Sequence, residues 1–190
     1  MAVPALRRCL FLDRDGVVNA SVVRSGKPYP PADWTEVQYV PGIHELCARA
    51  RAAGWLVIVA TNQPDVGRGT TRQETVEEIH ARMLVELALD DVEVSYDPGQ
   101  GVPSDFRKPA PGMLLRAADK HGIDLKNSFM IGDRWRDVSC GHAAGCRTIF
   151  IDYSYDEALR ELPDFTVKSL EEAAVILGPI FYSPPQPSTH

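Results

Sequence analysis

The stretch that decides the fold lies at residues 9–16, which read CLFLDRDG. Its four apolar residues predict a strand that is buried on both faces, and Gly16 allows a sharp turn after it. Asp13 and Asp15 follow this strand, and two carboxylates in such a place are costly unless a hard cation such as Mg²⁺ neutralises them. With a cation bound, Asp13 would serve as a nucleophile toward phosphorus, and Asp15 as a general acid and then a base. The alternative is a turn with two solvated acids.

The rest of the chain alternates short apolar runs with segments of helical periodicity. A second apolar run, WLVIVA at 55–60, has the character of a central parallel strand. Further strands are predicted at 92–95, 128–131 and 147–151, and helices at 41–53, 71–89, 111–121 and 137–144. Thr71 with Glu74 has the pattern of a capping box at the start of the second helix. This order predicts an α/β fold, a three-layer doubly wound parallel sheet with helices on both faces.

Polar residues that could bind a ligand or take part in a reaction occur in four groups, of which three follow predicted strands and one lies on the way to the strand at 128–131. The groups are Asp13 with Asp15, Thr61-Asn62-Gln63, Arg107-Lys108, and Asp133 with Asp137. In open parallel sheets, ligands bind beyond the carboxyl ends of the strands. We therefore expect the four groups to meet at one edge of the sheet.

Each group has a chemical interpretation and a plainer structural one. Thr61 would hold a phosphate oxygen, or it would cap a turn at a strand end. Lys108 would neutralise a phosphoryl group and Arg107 would grip a second substrate group, or both would form a solvated basic pair. Asp133 would complete a metal site and Asp137 would hold Lys108 or a metal-bound water, or both would complement a helix dipole.

Composition and charge narrow the class of protein. The chain has 190 residues and a net charge of −6, which disfavours a nucleic-acid binder because phosphates require a positive field. Its four cysteines form no CxxC pair and are interpreted as reduced thiols, and we find neither a signal-peptide pattern nor a membrane span. We expect a cytoplasmic protein, monomeric or a small homo-oligomer, with one domain at residues 1–178 and a C-terminal extension at 179–190. His80 and His121 are interpreted as surface groups.

Together the four groups carry a family resemblance. FLDRDGVVN at 11–19, VATNQ at 59–63, RKPAPGM at 107–113 and GDRWRDV at 132–138 resemble the four motifs of the haloacid dehalogenase (HAD)-like hydrolase superfamily. More narrowly they resemble the branch of histidinol-phosphate and D-glycero-D-manno-heptose 1,7-bisphosphate phosphatases. The likeness covers about residues 9–152.

The resemblance implies a role for each matching residue. Asp13 would be the nucleophile, Asp15 the acid and base, Thr61 and the Asn62 amide the phosphate holders, and Lys108 the balancing charge. Mg²⁺ would be bound by Asp13, Asp133 and the backbone carbonyl of Asp15, with Asp137 in support. The positions that match the substrate pocket of the heptose branch are Asn19, Asn62, Gln63, Arg68 and Arg107.

The implied activity is a Mg²⁺-dependent phosphomonoesterase that removes the C7 phosphate of heptose 1,7-bisphosphate through an aspartyl phosphate. Histidinol phosphate or another small phosphomonoester remains an alternative substrate, and a polynucleotide 3′-phosphate is disfavoured by the acidic charge. A phosphate-binding or acyl-phosphate signalling module without turnover is an alternative of another class, although the presence of Asp15 opposes it.

Two features distinguish the chain from relatives in that branch. Members often carry a Cys/His zinc loop before the RKP motif, whereas residues 96–106 contain no Cys or His, so we expect no structural zinc. The gaps at 19–41 and 63–107 are too short for a separate domain of typical size. We therefore expect a capless enzyme in which the loop around residues 20–35 forms one wall of the site.

Overall fold

A six-stranded parallel sheet forms the centre of the protein in the computed structural model, which describes residues 6–24, 27–102 and 104–185. The strands in chain order are β1 (Cys9–Leu12), β2 (Val22–Arg24), β3 (Lys27–Tyr29), β4 (Leu56–Asn62), β5 (Asp91–Ser95), β6 (Phe129–Gly132), β7 (Arg147–Ile151) and β8 (Phe165–Val167). The helices are α1 (Ile43–Ala52), α2 (Pro64–Gly67), α3 (Gln73–Glu86), α4 (Gly112–His121), α5 (Trp135–Ala144) and α6 (Leu170–Phe181). The central sheet has the order β5-β4-β1-β6-β7-β8, and β2 and β3 form a separate antiparallel hairpin.

Helices cover both faces of this sheet. One face buries Leu10, Val57 and Ile131 against α1, α3 and α6, whereas the other buries Phe11 and Ile58 against α4 and α5. The alternation follows from the pleat, since successive side chains of a strand point to opposite faces. The predicted three-layer doubly wound fold is therefore confirmed.

The register of the central strands brings their carboxyl ends level. Leu12 of β1 pairs with Val59 of β4 on one side and with Ile131 of β6 on the other. The Asp13 amide then donates to the Ile131 carbonyl at 2.9 Å, which extends the pairing one residue beyond the strand. The segments that follow β1, β4 and β6 consequently leave the sheet at one edge.

The β2–β3 hairpin occupies the gap between β1 and α1. It consists of two strands, and the described residues between β4 and α4 add α2, α3 and β5 to the main domain. Across the described ranges the chain contains no separate cap domain, as expected. Residues 25–26 of the predicted wall loop lie outside the described residues.

Two helix starts differ from the sequence-based expectation. Helix α3 begins at Gln73 with Arg72 as its N-cap, and the amide of Thr71 donates to the Asp65 carbonyl, so the predicted capping box is wrong. Thr71 is held in the turn that closes α2, which removes it from the cap position. Helix α5 begins at Trp135, two residues earlier than expected, because an Asp137 oxygen accepts the Arg134 amide at 3.0 Å and caps it.

The C-terminal helix passes the boundary that we expected at residue 178. Helix α6 continues to Phe181, whose ring packs edge-on against Trp55 with centroids 5.2 Å apart. The Phe181 carbonyl accepts hydrogen bonds from Trp55 Nε1 at 3.2 Å and from Arg8 at 3.0 Å. These contacts make residues 179–181 part of the packed domain; residues 1–5 and 186–190 lie outside the described residues.

None of the helices in the described ranges is both long and apolar enough to span a membrane.

We expect Phe181→Ala to lower the free energy of unfolding by about 3–5 kcal/mol, because it empties a buried aromatic site on Trp55. The neighbouring Tyr182→Ala should change it by less than about 0.5 kcal/mol, since Tyr182 is exposed. Urea unfolding of both variants measures the difference. Equal stabilities would show that the end of α6 does not belong to the core.

Candidate active site

The four polar groups predicted from the sequence meet in one pocket at the carboxyl edge of the sheet. The pocket has a volume of about 200 Å³ and is lined by Asp13, Asp15, Ser21, Tyr29, Pro30, Asn62, Pro64, Arg107, Lys108, Asp133, Arg134, Arg136 and Asp137. Every group contributes at least one residue, as the position of the strand ends requires. Ser21, Tyr29 and Pro30 form one wall, which agrees with the expected position of the 20–35 loop.

Lys108 joins three of these elements through a buried ammonium group. Its Nζ donates to Asp13 Oδ1 at 2.7 Å, to the Ala60 carbonyl at 2.7 Å and to Asp137 Oδ1 at 2.6 Å. An ammonium has three N–H donors, so this arrangement uses all of them. Burial lowers the pKa of Lys108, but the charges of Asp13 and Asp137 outweigh it and raise the pKa above its ordinary value. Lys108 is therefore a fixed positive charge beside Asp13.

Asn62 holds the backbone of Lys108 in place. Its side-chain oxygen accepts the Lys108 amide and its side-chain nitrogen donates to the Lys108 carbonyl, both at 3.0 Å. The two polar ends of the Asn62 side chain are thus engaged with protein. Asn62 lines the pocket, but its side chain positions Lys108 in this conformation.

Three carboxylates, those of Asp13, Asp133 and Asp137, lie close enough to share a cation. One oxygen from each falls within 4.8 Å of the others, and all three residues are buried. Asp133 Oδ1 is also buried and accepts no hydrogen bond from any residue that the structure describes. Carboxylate oxygen is the ligand that Mg²⁺ prefers. The donor set and the unpartnered oxygen therefore fit a magnesium ion.

Gly16 allows Asp133 to reach this cluster. Its φ of +96° lies in the left-handed region, and a Cβ at this position would overlap the Asp133 carboxylate. Only glycine satisfies both conditions.

Two carboxylates of this cluster, those of Asp13 and Asp133, have raised pKa values. Burial raises the pKa of Asp13 to about 7, with Lys108 opposing the shift and Asp137 adding to it. Burial, followed by the charges of Asp13 and Asp137, raises the pKa of Asp133 well above its ordinary range. The single positive charge of Lys108 does not balance three buried carboxylates. A bound cation would therefore lower the free-energy cost of keeping these carboxylates ionised.

Asp15 is held apart from the cluster by hydrogen bonds from three residues, Arg14, Asn19 and Gln63. Arg14 Nη2 donates to Oδ2 at 3.0 Å and to Oδ1 at 3.1 Å, Asn19 Nδ2 to Oδ1 at 3.0 Å, and Gln63 Nε2 to Oδ2 at 2.8 Å. Burial raises the pKa of Asp15, but the charge of Arg14 and these hydrogen bonds outweigh it and lower the pKa below its ordinary value. Asp15 is consequently ionised and oriented in this conformation.

Thr61 lies beneath the pocket. It is buried at the end of β4, and its hydroxyl oxygen accepts Gln63 Nε2 at 2.9 Å. A hydroxyl that accepts one hydrogen bond still has its own proton to donate. Thr61 can therefore donate to a phosphate oxygen, although it is absent from the pocket surface.

Three residues expected to bind substrate have other contacts. Asn19 and Gln63 are buried and hold Asp15, so neither faces a ligand in this conformation. Arg68 donates to the Pro98 carbonyl at 2.9 Å and pairs with Asp65, and it does not line the pocket. Arg107 does line the pocket, while its Nη1 donates to the Asp97 carbonyl at 2.7 Å.

Two arginines that line the pocket had no role predicted from the sequence. Arg134 and Arg136 flank Trp135 at the start of α5, and both lie near Glu157, at 2.5 Å and 3.5 Å. Their presence inside GDRWRDV was a usable signal, because residues at a helix N-terminus beyond a strand face the same sheet edge. His80, expected on the surface, is buried against Arg14, so that interpretation was wrong.

Comparison with known proteins decides the family. A model of HAD-hydrolase-like domains matches residues 105–173. The chain is 34% identical over 146 residues to a D-glycero-α-D-manno-heptose-1,7-bisphosphate 7-phosphatase of Campylobacter jejuni, covering 76% of this chain and 81% of the relative. It is 36% identical over 157 residues to a D-glycero-β-D-manno-heptose-1,7-bisphosphate 7-phosphatase of Rhodopseudomonas palustris, covering 76% and 84%.

The chain belongs to the heptose-1,7-bisphosphate 7-phosphatase family of HAD-like hydrolases. The family resemblance inferred from the four motifs is thereby confirmed, and the chain is a phosphoric monoester hydrolase. A crystal structure of D,D-heptose 1,7-bisphosphate phosphatase from B. bronchiseptica, complexed with magnesium and phosphate, has a TM-score of 0.76 and 28% identity, and the match covers 90% of this chain and 98% of that one.

We expect Mg²⁺ affinity to rise with pH across neutrality. Below pH 7 a proton occupies Asp13 in the metal-free protein and competes with the metal, and above pH 7 the carboxylate is free. Titration calorimetry at pH 6 and pH 8 should give an affinity about tenfold lower at pH 6, since one pKa unit corresponds to a tenfold change. The exposed Asp119→Asn should preserve this dependence. An affinity that is unchanged or higher at pH 6 would contradict it.

Proposed function

We propose that this protein is a capless, Mg²⁺-dependent phosphatase that removes the C7 phosphate of D-glycero-D-manno-heptose 1,7-bisphosphate through an aspartyl phosphate on Asp13. The observation that carries the proposal is one pocket that combines the Asp13–Lys108–Asp133 cluster with Arg107 and Arg136. The cluster suits transfer of one phosphoryl group, and the arginines suit retention of a second.

Asp13 carries out the first displacement in this proposal. Lys108 holds Asp13 Oδ1, which fixes the carboxylate and leaves its other oxygen to attack phosphorus. That oxygen forms a bond to phosphorus while the bond to the leaving sugar oxygen breaks. Asp15, which is ionised in the free enzyme, takes up a proton when the negatively charged phosphate binds beside it and passes this proton to the leaving sugar oxygen. Lys108 and the Thr61 hydroxyl offset the negative charge on the phosphoryl oxygens.

Asp15 carries out the proton transfer of the second displacement. A water attacks the phosphorus of the aspartyl phosphate, its proton passes to the Asp15 carboxylate, and the bond from phosphorus to Asp13 breaks. Inorganic phosphate leaves, and Asp15 is again protonated for the next cycle. The lowered pKa of Asp15 in the free enzyme suits this base step.

Asp13, Asp133 and the backbone carbonyl of Asp15 are the proposed magnesium ligands, with Asp137 holding Lys108. The bound ion supplies positive charge to the phosphoryl oxygens.

We propose that the enzyme uses no structural zinc, because arginine side chains hold the loop at residues 96–106 in the place where relatives often use a zinc ion. Arg68 binds the Pro98 carbonyl and Arg107 the Asp97 carbonyl of this loop.

Arg107 and Arg136 are the proposed ligands of the C1 phosphate. Both line the reaction pocket and also an adjoining cavity of about 400 Å³, whose other walls include Gly99, Gly101 and Ser104. Burial lowers the pKa of Arg107 most, and the positive charge of Arg136 lowers it next, so the two guanidinium groups lie close enough to repel each other. A dianionic phosphate between them would relieve this repulsion and accept charge-assisted hydrogen bonds.

The substrate is a small phosphate ester, and the proposed location is the cytoplasm. All four cysteines are free and buried, which suits a reducing compartment. The two relatives described above differ in the anomer they are named for, so both anomers belong in the test.

The test is phosphate release with Mg²⁺ from a panel of phosphomonoesters. The panel contains both anomers of heptose 1,7-bisphosphate, histidinol phosphate, hexose phosphates and a 3′-phosphorylated oligonucleotide. We expect a strong preference for a heptose bisphosphate, loss of activity with EDTA, and no turnover by Asp13→Asn with an unchanged fold. Activity spread evenly over the panel would refute the substrate, and near-normal activity of Asp13→Asn would refute the covalent mechanism.

We expect Arg136→Gln to lower kcat/KM for heptose 1,7-bisphosphate about 10–100-fold, because hydrogen bonds to charged groups contribute about 1.5–3 kcal/mol. With heptose 7-phosphate, which lacks the C1 phosphate, the variant should resemble the wild type. Arg72→Gln, at an exposed arginine, serves as the control. An equal loss with both substrates would remove Arg136 from the second-phosphate site.

A further inference from the structure

His80 lies on the buried face of α3, next to the candidate active site. Its exposed fraction is 6%, and Val76, Ile79 and Met83 of the same helix are buried with it. A buried imidazole requires a hydrogen-bond partner to offset the loss of water. Its Nε2 lies 3.2 Å from Arg14 Nη1.

The hydrogen bond between Arg14 and His80 defines the protonation state of His80. A guanidinium has donors only, so Nε2 must be the acceptor and the imidazole must be neutral. Burial and then the positive charge of Arg14 lower the pKa of His80 to about 3, although Asp15 opposes the shift. His80 is thus a permanent acceptor rather than a proton donor or a titrating group at neutral pH.

Arg14 connects this acceptor to Asp15. Its side chain is 1% exposed, and its Nε and Nη2 donate to the Asp15 carboxylate at 3.0–3.2 Å while Nη1 points to His80. Because the guanidinium is planar, fixing Nη1 also fixes the plane in which Nε and Nη2 meet the carboxylate. Asn19 and Gln63 then complete the set of donors to Asp15.

We propose that His80 is a positioning residue for catalysis: by accepting a hydrogen bond from Arg14, it holds the guanidinium that orients the Asp15 carboxylate for proton transfer. The inference rests on the proposed function, in which Asp15 is the acid and base. His80 itself touches neither substrate nor metal ligand, and it acts only through Arg14.

The test compares two leaving groups in His80→Leu and His80→Gln. An alkyl alkoxide needs a proton from Asp15 as it leaves, whereas nitrophenolate leaves without one. If His80→Leu leaves the Asp15 carboxylate misoriented, kcat/KM should fall about tenfold for the alkyl phosphate that the wild type hydrolyses best. For p-nitrophenyl phosphate it should fall by less than about twofold. The glutamine of His80→Gln offers an acceptor oxygen to Arg14, so this variant should hydrolyse the alkyl phosphate to within about twofold of the wild type.

Two further variants make the result decisive. His44→Leu, at an exposed histidine of α1, should leave both activities unchanged. Arg14→Lys keeps the charge but lacks the planar fork, so it should reproduce the selective loss even if His80→Leu fails to fold.

Equal losses with both esters, or no loss in His80→Leu and Arg14→Lys, would overturn this inference while leaving the proposed function in place. Failure of the wild type to hydrolyse either ester would instead refute the proposed function, and this inference with it.

Discussion

The buried ion pairs of Lys108 are the interaction on which the rest of the site depends. Its ammonium bonds to Asp13 after β1, to Asp137 in α5 and to the Ala60 carbonyl in β4, and thus joins three segments of the chain. A buried charge without partners would be expensive, and so would the carboxylates without Lys108. The ammonium and the carboxylates each offset the free-energy cost of burying the other. A bound cation would neutralise the negative charge that remains.

The two carboxylates that are proposed to be catalytic lie only two residues apart in the chain but in opposite electrostatic environments. Asp13 lies among other acids, where burial raises its pKa, whereas Asp15 faces Arg14, Asn19 and Gln63, which lower its pKa. Different environments for neighbouring carboxyl groups are the general means by which one site obtains two chemical roles. In this protein the separation arises because Asp13 lies beside Asp133 and Asp137, whereas Asp15 accepts hydrogen bonds from residues outside that cluster.

Arginine side chains hold a loop beside the pocket and also line the pocket itself. Arg68 and Arg107 hold the 96–106 loop by donating to its carbonyl groups, and Arg107 remains on the pocket surface together with Arg136. A guanidinium has five donors, so one side chain can hold a loop and still offer hydrogen bonds to an anion. Arg107 would therefore link the position of this loop to the proposed binding of the second phosphate.

The sequence alone determined the parallel α/β sheet, the meeting of the four motifs at one edge, and the family. Apolar runs and strand ends follow from local periodicity, and the carboxyl ends of parallel strands must share an edge. The assignment of His80 to the surface and of Thr71 to a helix cap failed, and the hydrogen bonds from Asn19 and Gln63 to Asp15 were not predicted. Those outcomes depend on which side chains meet across the fold, as when the buried guanidinium of Arg14 draws Asp15 and His80 together. Only tertiary structure decides such contacts, because partners distant in sequence leave no local periodic signal.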